Sequence, residues 1–219
     1  MLTFEREYWR TGKRCLAGVD EAGRGPLAGP VAAAAVVMPP EFAERELVGA
    51  LKKLNDSKKL TPAAREKFYR YFLDTPEIEV GVCLVENDEI DRINILQATH
   101  VAMARALASL PSPPDHALVD GLPVAGLPCS SSAIVKGDSK SLLIAAASVV
   151  AKVVRDHRMI EWDRTYPQYG FAGHKGYGTA KHIQALFEYG PCPIHRRSFR
   201  PVREAEAISG LRDEGHTRD

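Results

Sequence analysis

The chain lacks closely spaced cysteines. Its four, Cys15, Cys83, Cys129 and Cys192, lie far apart, and no CxxC occurs. That argues against a disulfide framework and fits reduced thiols in a cytosolic protein. Cys192-Pro-Ile-His195 offers two metal-type ligands, but no second pair has the spacing that closes a zinc site. Net charge is also nearly absent, at +1 from 29 Lys and Arg against 28 Asp and Glu. Any nucleic-acid contact must therefore come from local basic surfaces, because there is no bulk positive field. The longest apolar run, Leu142 to Ala151, is too short to span a bilayer. The opening Met-Leu-Thr-Phe-Glu-Arg-Glu has no signal-peptide pattern. These absences predict a cytoplasmic location and no membrane partner. Internal repeats and low-complexity linkers are missing too.

What remains is an ordinary globular composition, 45% apolar and 26% charged over 219 residues, enough for one domain with a small appendage. Apolar patterning predicts strands at 15–19, 31–38, 78–85, 117–119 and 133–135. Helices are expected at 61–73, 87–110, 142–162 and 179–190, the first opening on Thr61-Pro62 as cap and first-turn proline. The 142–162 segment begins apolar on every face, which predicts deep burial. Strands early with helices between and after them imply an α/β protein, a mixed sheet flanked by helices. The charged, weakly patterned stretch after about residue 203 reads as a fraying tail.

The richest stretch is Gly18-Val-Asp-Glu-Ala-Gly-Arg-Gly-Pro-Leu-Ala-Gly29. An apolar run feeds two adjacent carboxylates, Asp20 and Glu21, and a glycine-bracketed arginine follows. Alone this fits a solvated turn as well as a cation site. Asp120 also ends an apolar strand, and Asp138 follows another apolar segment and a glycine. Each has a plain reading, as a turn aspartate and as a helix cap respectively. Together, four acids at strand ends would repel one another unless cations neutralise them. Hard oxygen donors suit Mg²⁺ or Mn²⁺. Two such ions, roughly 3.5–4 Å apart, clamp the attacking and leaving oxygens of a phosphoryl displacement. Asp156 reads instead as an ion-pair partner of Arg155 or Arg158. Adjacent strand residues face opposite sides, so serving one site demands a bend after Val19 or an open sheet edge.

Three segments could meet a nucleic acid. Asp56-Ser57-Lys58-Lys59 places donors before a capped helix, although a solvated charge run explains it too. Tyr169 to Gly178 interleaves aromatics, glycines, His174 and Lys175, suited to stacking on sugars or bases. His195-Arg196-Arg197-Ser198-Phe199-Arg200 is a basic cluster suited to phosphates.

These motifs resemble those of bacterial ribonuclease HII, in order and approximate spacing, over about 180 residues. They are Asp20-Glu21-Ala-Gly-Arg-Gly-Pro, Asp56-Ser-Lys-Lys-Leu, Val119-Asp-Gly121, Lys136-Gly-Asp-Ser139, Ile144-Ala-Ala-Ala-Ser148 with Ala151-Lys-Val, His174-Lys-Gly-Tyr-Gly-Thr179 and His195-Arg-Arg-Ser-Phe199. The resemblance implies a ribonuclease H-like fold. It implies a catalytic core over 1–165, a C-terminal helical substrate-binding part over 166–203 and a flexible tail over 204–219. It implies hydrolysis of RNA in RNA–DNA hybrids and nicking 5′ of ribonucleotides embedded in duplex DNA. Two Mg²⁺ or Mn²⁺ ions would act, leaving 5′-phosphate and 3′-hydroxyl ends. By position, Asp20, Glu21, Asp120 and Asp138 would hold the metals. Gly23, Arg24 and Gly25 would read the ribose 2′-hydroxyl, and Tyr177 would pack on the adjacent deoxyribose. Ser57, Lys58, Lys59, Lys175, Arg196 and Arg197 would contact the nucleic acid. A monomer is expected, and no clear clamp-binding peptide appears near the C-terminus. A different nuclease of the same fold would cut without any ribonucleotide, and a hybrid-binding protein would bind without cutting.

Overall fold

The computed structural model describes residues 1–215, with side chains to residue 209. Five strands form one sheet: β1 Leu16–Ala22, β2 Val31–Val37, β3 Glu79–Val85, β4 His116–Asp120 and β5 Ser131–Ile134, in the order β3-β2-β1-β4-β5. β1 runs antiparallel to β2 and parallel to β4, and β4 runs parallel to β5. The sheet is therefore mixed, as the sequence implies. The helices are α1 Thr3–Arg10, α2 Pro40–Val48, α3 Pro62–Asp74, α4 Asn87–Ala108, α5 Leu142–Thr165, α6 Phe171–His174, α7 Ala180–Tyr189 and α8 Arg200–Gly215.

Packing divides the chain into two compact units. The first comprises Met1–Ala22, Ala32–Leu84 and Thr99–Val154, and the second Gly23–Val31, Val85–Ala98 and Arg155–Asp219. The sequence expectation drew its boundary at residue 165. The packing divides α5 at Val154 and adds two earlier segments to the second unit.

In the first unit, apolar strands bury against the all-apolar start of α5, where Leu142, Leu143, Ile144 and Ala145 through Ala147 are fully buried. The approach is close enough that a Cβ on Gly18 would stand 2.1 Å from the Leu143 carbonyl carbon, so only glycine fits there. The N-terminus of α5 is satisfied from outside the helix. The Glu5 carboxylate of α1 accepts from the Ser141 hydroxyl at 2.6 Å and from the Leu143 amide at 3.2 Å. Burial pushes the Glu5 carboxyl up despite those bonds. Thr61 caps α3 as expected, accepting from the Ala64 amide at 3.2 Å.

In the second unit, Met159, Tyr169, Phe171, Cys192 and Ile194 make one apolar cluster, and Leu27, Leu186, Val202 and Ala205 make another. Residues 204–215 of the expected tail lie in α8, and Ala205 is buried. Residues 216–219 of that expectation lie outside the described residues. No helix among the described residues is long and apolar enough to cross a membrane.

Candidate active site

Strand register places the first acids. β1 and β4 pair from Leu16↔His116 to Val19↔Val119 and then part. Asp20 and Asp120 are the next residue on each strand. They stand at one level on neighbouring parallel strands, where the ladder between them ends. The expected bend after Val19 is absent. β1 stays paired with β2 through Glu21↔Ala33 and Ala22↔Ala32, so Asp20 and Glu21 lie within the strand. On the β4 side the register of β1 ends at Val19↔Val119, one residue before Asp20.

Asp138 arrives through a tight connection. After β5, Lys136 takes a left-handed conformation (φ 57°) and a short 3₁₀ turn spans Gly137–Ser139. The Gly137 amide donates to Asp120 Oδ1 at 2.6 Å, which ties the Asp138 turn to the end of β4. Asp138 also faces Asp56, an acid the sequence reading left within a lysine motif, and the two carboxyls influence one another. The Asp56 carboxylate in turn accepts from the Lys58 amide at 2.9 Å.

Electrostatics mark these groups as one cluster. Burial pushes the Asp20 carboxyl well above the usual range, and the charges of Glu21 and Asp120 push the same way. The Glu21 amide donates to Asp20 Oδ1 at 2.7 Å, and this amide and the nearby Ser148 hydroxyl favour the charged form of Asp20. Asp138 is raised by burial first, then by Asp56 and Asp120, with Lys58 opposing. Among the described residues, no three His, Cys, Asp or Glu side chains already close on a single point as a metal cage. The donor chemistry nevertheless fits a divalent cation. Hard carboxylate oxygens hold one another's protons on, and an added cation would lower that energy.

Ser57 departs from expectation. It is 4% exposed, its hydroxyl lies 2.7 Å from that of Ser148, and its carbonyl accepts from Arg65 at 2.7 Å. It backs the Asp20 support and cannot present itself to a phosphate. Lys58 and Lys59 are exposed beside it.

The second unit holds the glycine-bracketed loop. Gly23 (φ 96°) turns the chain one residue past β1, and Arg24 and Gly25 are exposed. Two arginines fasten the loop from inside. Arg155, 1% exposed, donates from Nε to the Pro30 carbonyl at 2.9 Å, from Nη1 to Lys175 at 2.9 Å and from Nη2 to Ala28 at 3.2 Å. Arg196, fully buried, donates to the carbonyls of Gly23 (2.6 Å), Arg24 (3.0 Å), Pro26 (2.8 Å), Gly29 (2.9 Å) and Pro30 (3.1 Å). Desolvation drives their pKa values down to about 10 and about 9. These bonds turn loop carbonyls inward, while Arg24 and Gly25 stay exposed.

The loop adjoins Tyr177. A Cβ on Gly25 would lie 3.8 Å from the Tyr177 ring, the Leu27 amide donates to the Gly176 carbonyl at 2.8 Å, and Tyr177 is 44% exposed. One expected phosphate contact is corrected here: Arg196 is fully buried and consumed by carbonyls. Lys175 is half-buried, and its ammonium donates to the Ala172 carbonyl. Arg197 is exposed and paired with Glu206. Arg155 is bonded to carbonyls, with the charge of Asp156 favouring its protonated form, and Arg158 pairs with Glu86 (3.4 Å) and Glu161 (3.3 Å).

Comparison with known proteins comes to the same region of sequence space. The family model described as Ribonuclease HII matches residues 17–202. The chain is 52% identical over 203 residues to Ribonuclease HII of Syntrophotalea carbinolica, covering 93% of each chain. It is 52% identical to Ribonuclease HII of Geobacter sulfurreducens, covering 92% of this chain and 89% of that one. The fold is similar to the crystal structure of ribonuclease H2 from Pyrococcus horikoshii, with TM-score 0.73 and 32% identity, covering 88% of this chain and 97% of that one. It is also similar to Bst-RNase HIII in complex with Mn²⁺, with TM-score 0.73 at 18% identity over 91% of this chain and 71% of that one, which speaks to the fold alone.

Proposed function

The chain belongs to the ribonuclease HII family, and we propose that it hydrolyses the RNA strand of RNA–DNA hybrids and nicks 5′ of single ribonucleotides in duplex DNA. The observation that carries this reading is the level placement of Asp20 and Asp120 where parallel β1 and β4 part. β1, which carries Asp20, ends at Ala22, and Gly23-Arg24-Gly25 follows at once.

Asp20, Glu21, Asp120 and Asp138 would hold two divalent ions, Mg²⁺ or Mn²⁺. When bound, such ions supply an activated water and stabilise the leaving oxygen. The water oxygen bonds to phosphorus, the bond from phosphorus to the 3′-oxygen breaks, and a proton ends on that oxygen. The products carry a 5′-phosphate and a 3′-hydroxyl.

The chain's own residues set up this exchange. The Glu21 amide holds the Asp20 carboxylate in place, and the nearby Ser148 favours its charged form. Gly137 does the same for Asp120. The segment Gly23 to Gly25 meets the ribose 2′-hydroxyl, the group that separates RNA from DNA. A side chain at Gly23 would be strained at φ 96° and would displace Arg155, since its Cβ would lie 2.0 Å from Arg155 Nε. Tyr177 lays its exposed ring against the next sugar, where an extra hydroxyl would clash, so the ribose–deoxyribose junction is selected partly by exclusion. Arg24, Lys58, Lys59 and Arg197 supply charge to backbone phosphates.

The test is a DNA duplex with one embedded ribonucleotide, incubated with Mg²⁺ or Mn²⁺ beside an all-DNA control. Nicking 5′ of the ribonucleotide, with the control intact, is the expected result. Cleavage of both duplexes, or binding without cleavage, overturns it.

A further inference from the structure

Behind Tyr177 lies a buried row of polar groups that the proposed reaction does not use. His182 Nδ1 is 2.9 Å from the Tyr177 carbonyl. His182 Nε2 is 3.1 Å from His195 Nε2. His195 Nδ1 accepts from the Cys192 amide at 2.9 Å and lies 3.1 Å from Cys192 Sγ. His182 and His195 are fully buried, and Cys192 is nearly so.

One proton arrangement satisfies every contact. A carbonyl oxygen can only accept, so His182 Nδ1 carries the hydrogen. A neutral ring then has a bare Nε2, and the hydrogen between the two rings belongs to His195 Nε2. His195 Nδ1 is therefore bare, matched to the amide and thiol hydrogens of Cys192. Desolvation favours the neutral forms, lowering His182 to about 4 and His195 to about 3 and raising the Cys192 thiol to about 11. The donor direction runs from Cys192 through both rings and ends on Tyr177.

The backbone it meets is tightly wound. Lys175 and Gly176 are both left-handed, at φ 53° and 82°. The Tyr177 carbonyl also accepts from the Thr179 amide at 2.8 Å. His174 stacks on His182 with centroids 4.4 Å apart, while its Nδ1 accepts from the Gly176 amide at 3.2 Å and its Nε2 donates to the Tyr169 carbonyl at 2.9 Å.

We propose that His182, held by His195 and Cys192, is a positioning residue that fixes the Tyr177 backbone and so sets how sharply the ring discriminates deoxyribose from ribose. This rests on the functional reading above and adds to it a device for substrate choice.

The test compares kcat/KM on the single-ribonucleotide duplex with kcat/KM on a continuous RNA–DNA hybrid. His182→Asn keeps an N–H near the Nδ1 position and should hold the ratio of the two near the wild-type value. His182→Leu keeps the bulk, loses that N–H, and should shift the ratio toward the hybrid by about tenfold, a change carried by selectivity and not by overall rate. An unchanged ratio in His182→Leu overturns the proposal. Long-range ¹H–¹⁵N spectra of the wild-type protein give a second readout that needs no variant to fold. They should show His182 as the Nδ1–H form and His195 as the Nε2–H form, and the opposite form at either residue overturns the relay. A wild-type chain that cleaves neither duplex overturns the functional reading and the selectivity claim with it, and the spectra still judge the relay.

Discussion

Arg155 holds Tyr177 from two directions. Its guanidinium carbon stands 5.9 Å from the centre of the Tyr177 ring, while its Nη1 donates 2.9 Å to the carbonyl of Lys175, two residues earlier. The same guanidinium reaches Ala28 and Pro30 of the glycine loop. One side chain therefore spans both segments assigned to reading the sugars. Lysine cannot replace it, because a single ammonium has no rigid fork to serve three carbonyls. Arg155→Lys should lower stability by roughly 3 kcal/mol, since buried carbonyls left unpaired cost about 1–3 kcal/mol each. Thermal unfolding reads this as a Tm drop on the order of 10 °C, and a drop within experimental scatter would refute the bracing role.

Arg24 and Arg196 lie close in the loop's hydrogen-bonding pattern and should separate cleanly on mutation. Arg24 is exposed and Arg196 fully buried. Arg24→Ala should leave the melting curve almost unchanged, weaken duplex binding and reduce the salt slope by about one charge. Arg196→Met leaves several buried carbonyls without a donor and should cost roughly 3–5 kcal/mol. Binding titrations at several salt concentrations, run beside calorimetry on both variants, check the contrast. A destabilised Arg24→Ala, or an Arg196→Met that only weakens binding, would reverse the assignment.

How much of this the sequence exposes depends on whether a residue's role follows from its neighbours in the chain. Asp20, Asp120 and Asp138 are legible because each follows an apolar strand pattern, with Gly121 next to Asp120 and Gly137 next to Asp138. β1 and β2 are legible as apolar runs. β5 is not: Ser131–Ile134 begins with two serines, and its pattern was placed two residues late. α1 Thr3–Arg10 and α2 Pro40–Val48 have no counterpart among the helices expected from the sequence. α1 forms against the start of α5, where Glu5 finds the free end of that helix, a tertiary relation that no local pattern carries. α4 holds a kink at Asn94 (φ 68°), inside what reads as one helical period. Arg196 and Ser57 were misread for a common reason. Sequence reports charge and polarity but not burial, and buried polar groups are spent on the protein itself.

Asp20 should show the conflict between a cation site and stability. Its carboxylate is buried among other acids, which disfavours the charged form in the absence of cations. Asp20→Asn should raise the Tm of metal-free protein, abolish nicking by orders of magnitude and leave substrate binding in place. Adding Mg²⁺ or Mn²⁺ should raise the wild-type Tm more than that of the variant, since ligands stabilise the state they bind. Equal metal-induced shifts, or retained nicking, would remove Asp20 from the proposed cage.

The neutral histidines predict a stability loss on the acid side. His182 and His195 titrate at about 4 and about 3 in the folded chain, against 6.5 for the ordinary side chain. Between those values and 6.5 the unfolded chain binds more protons than the folded one. Stability must therefore rise with pH through this window. Their contribution is fully present above about 6.5 and is lost as pH falls toward 4. Each proton of difference is worth about 1.4 kcal/mol per pH unit. Other acids also titrate there, so the informative quantity is the wild-type slope minus that of a variant. Urea unfolding from pH 7 down to pH 4.5 should show His195→Gln with a shallower loss than wild type. Parallel slopes would mean that the His195 ring takes up its proton as readily folded as unfolded.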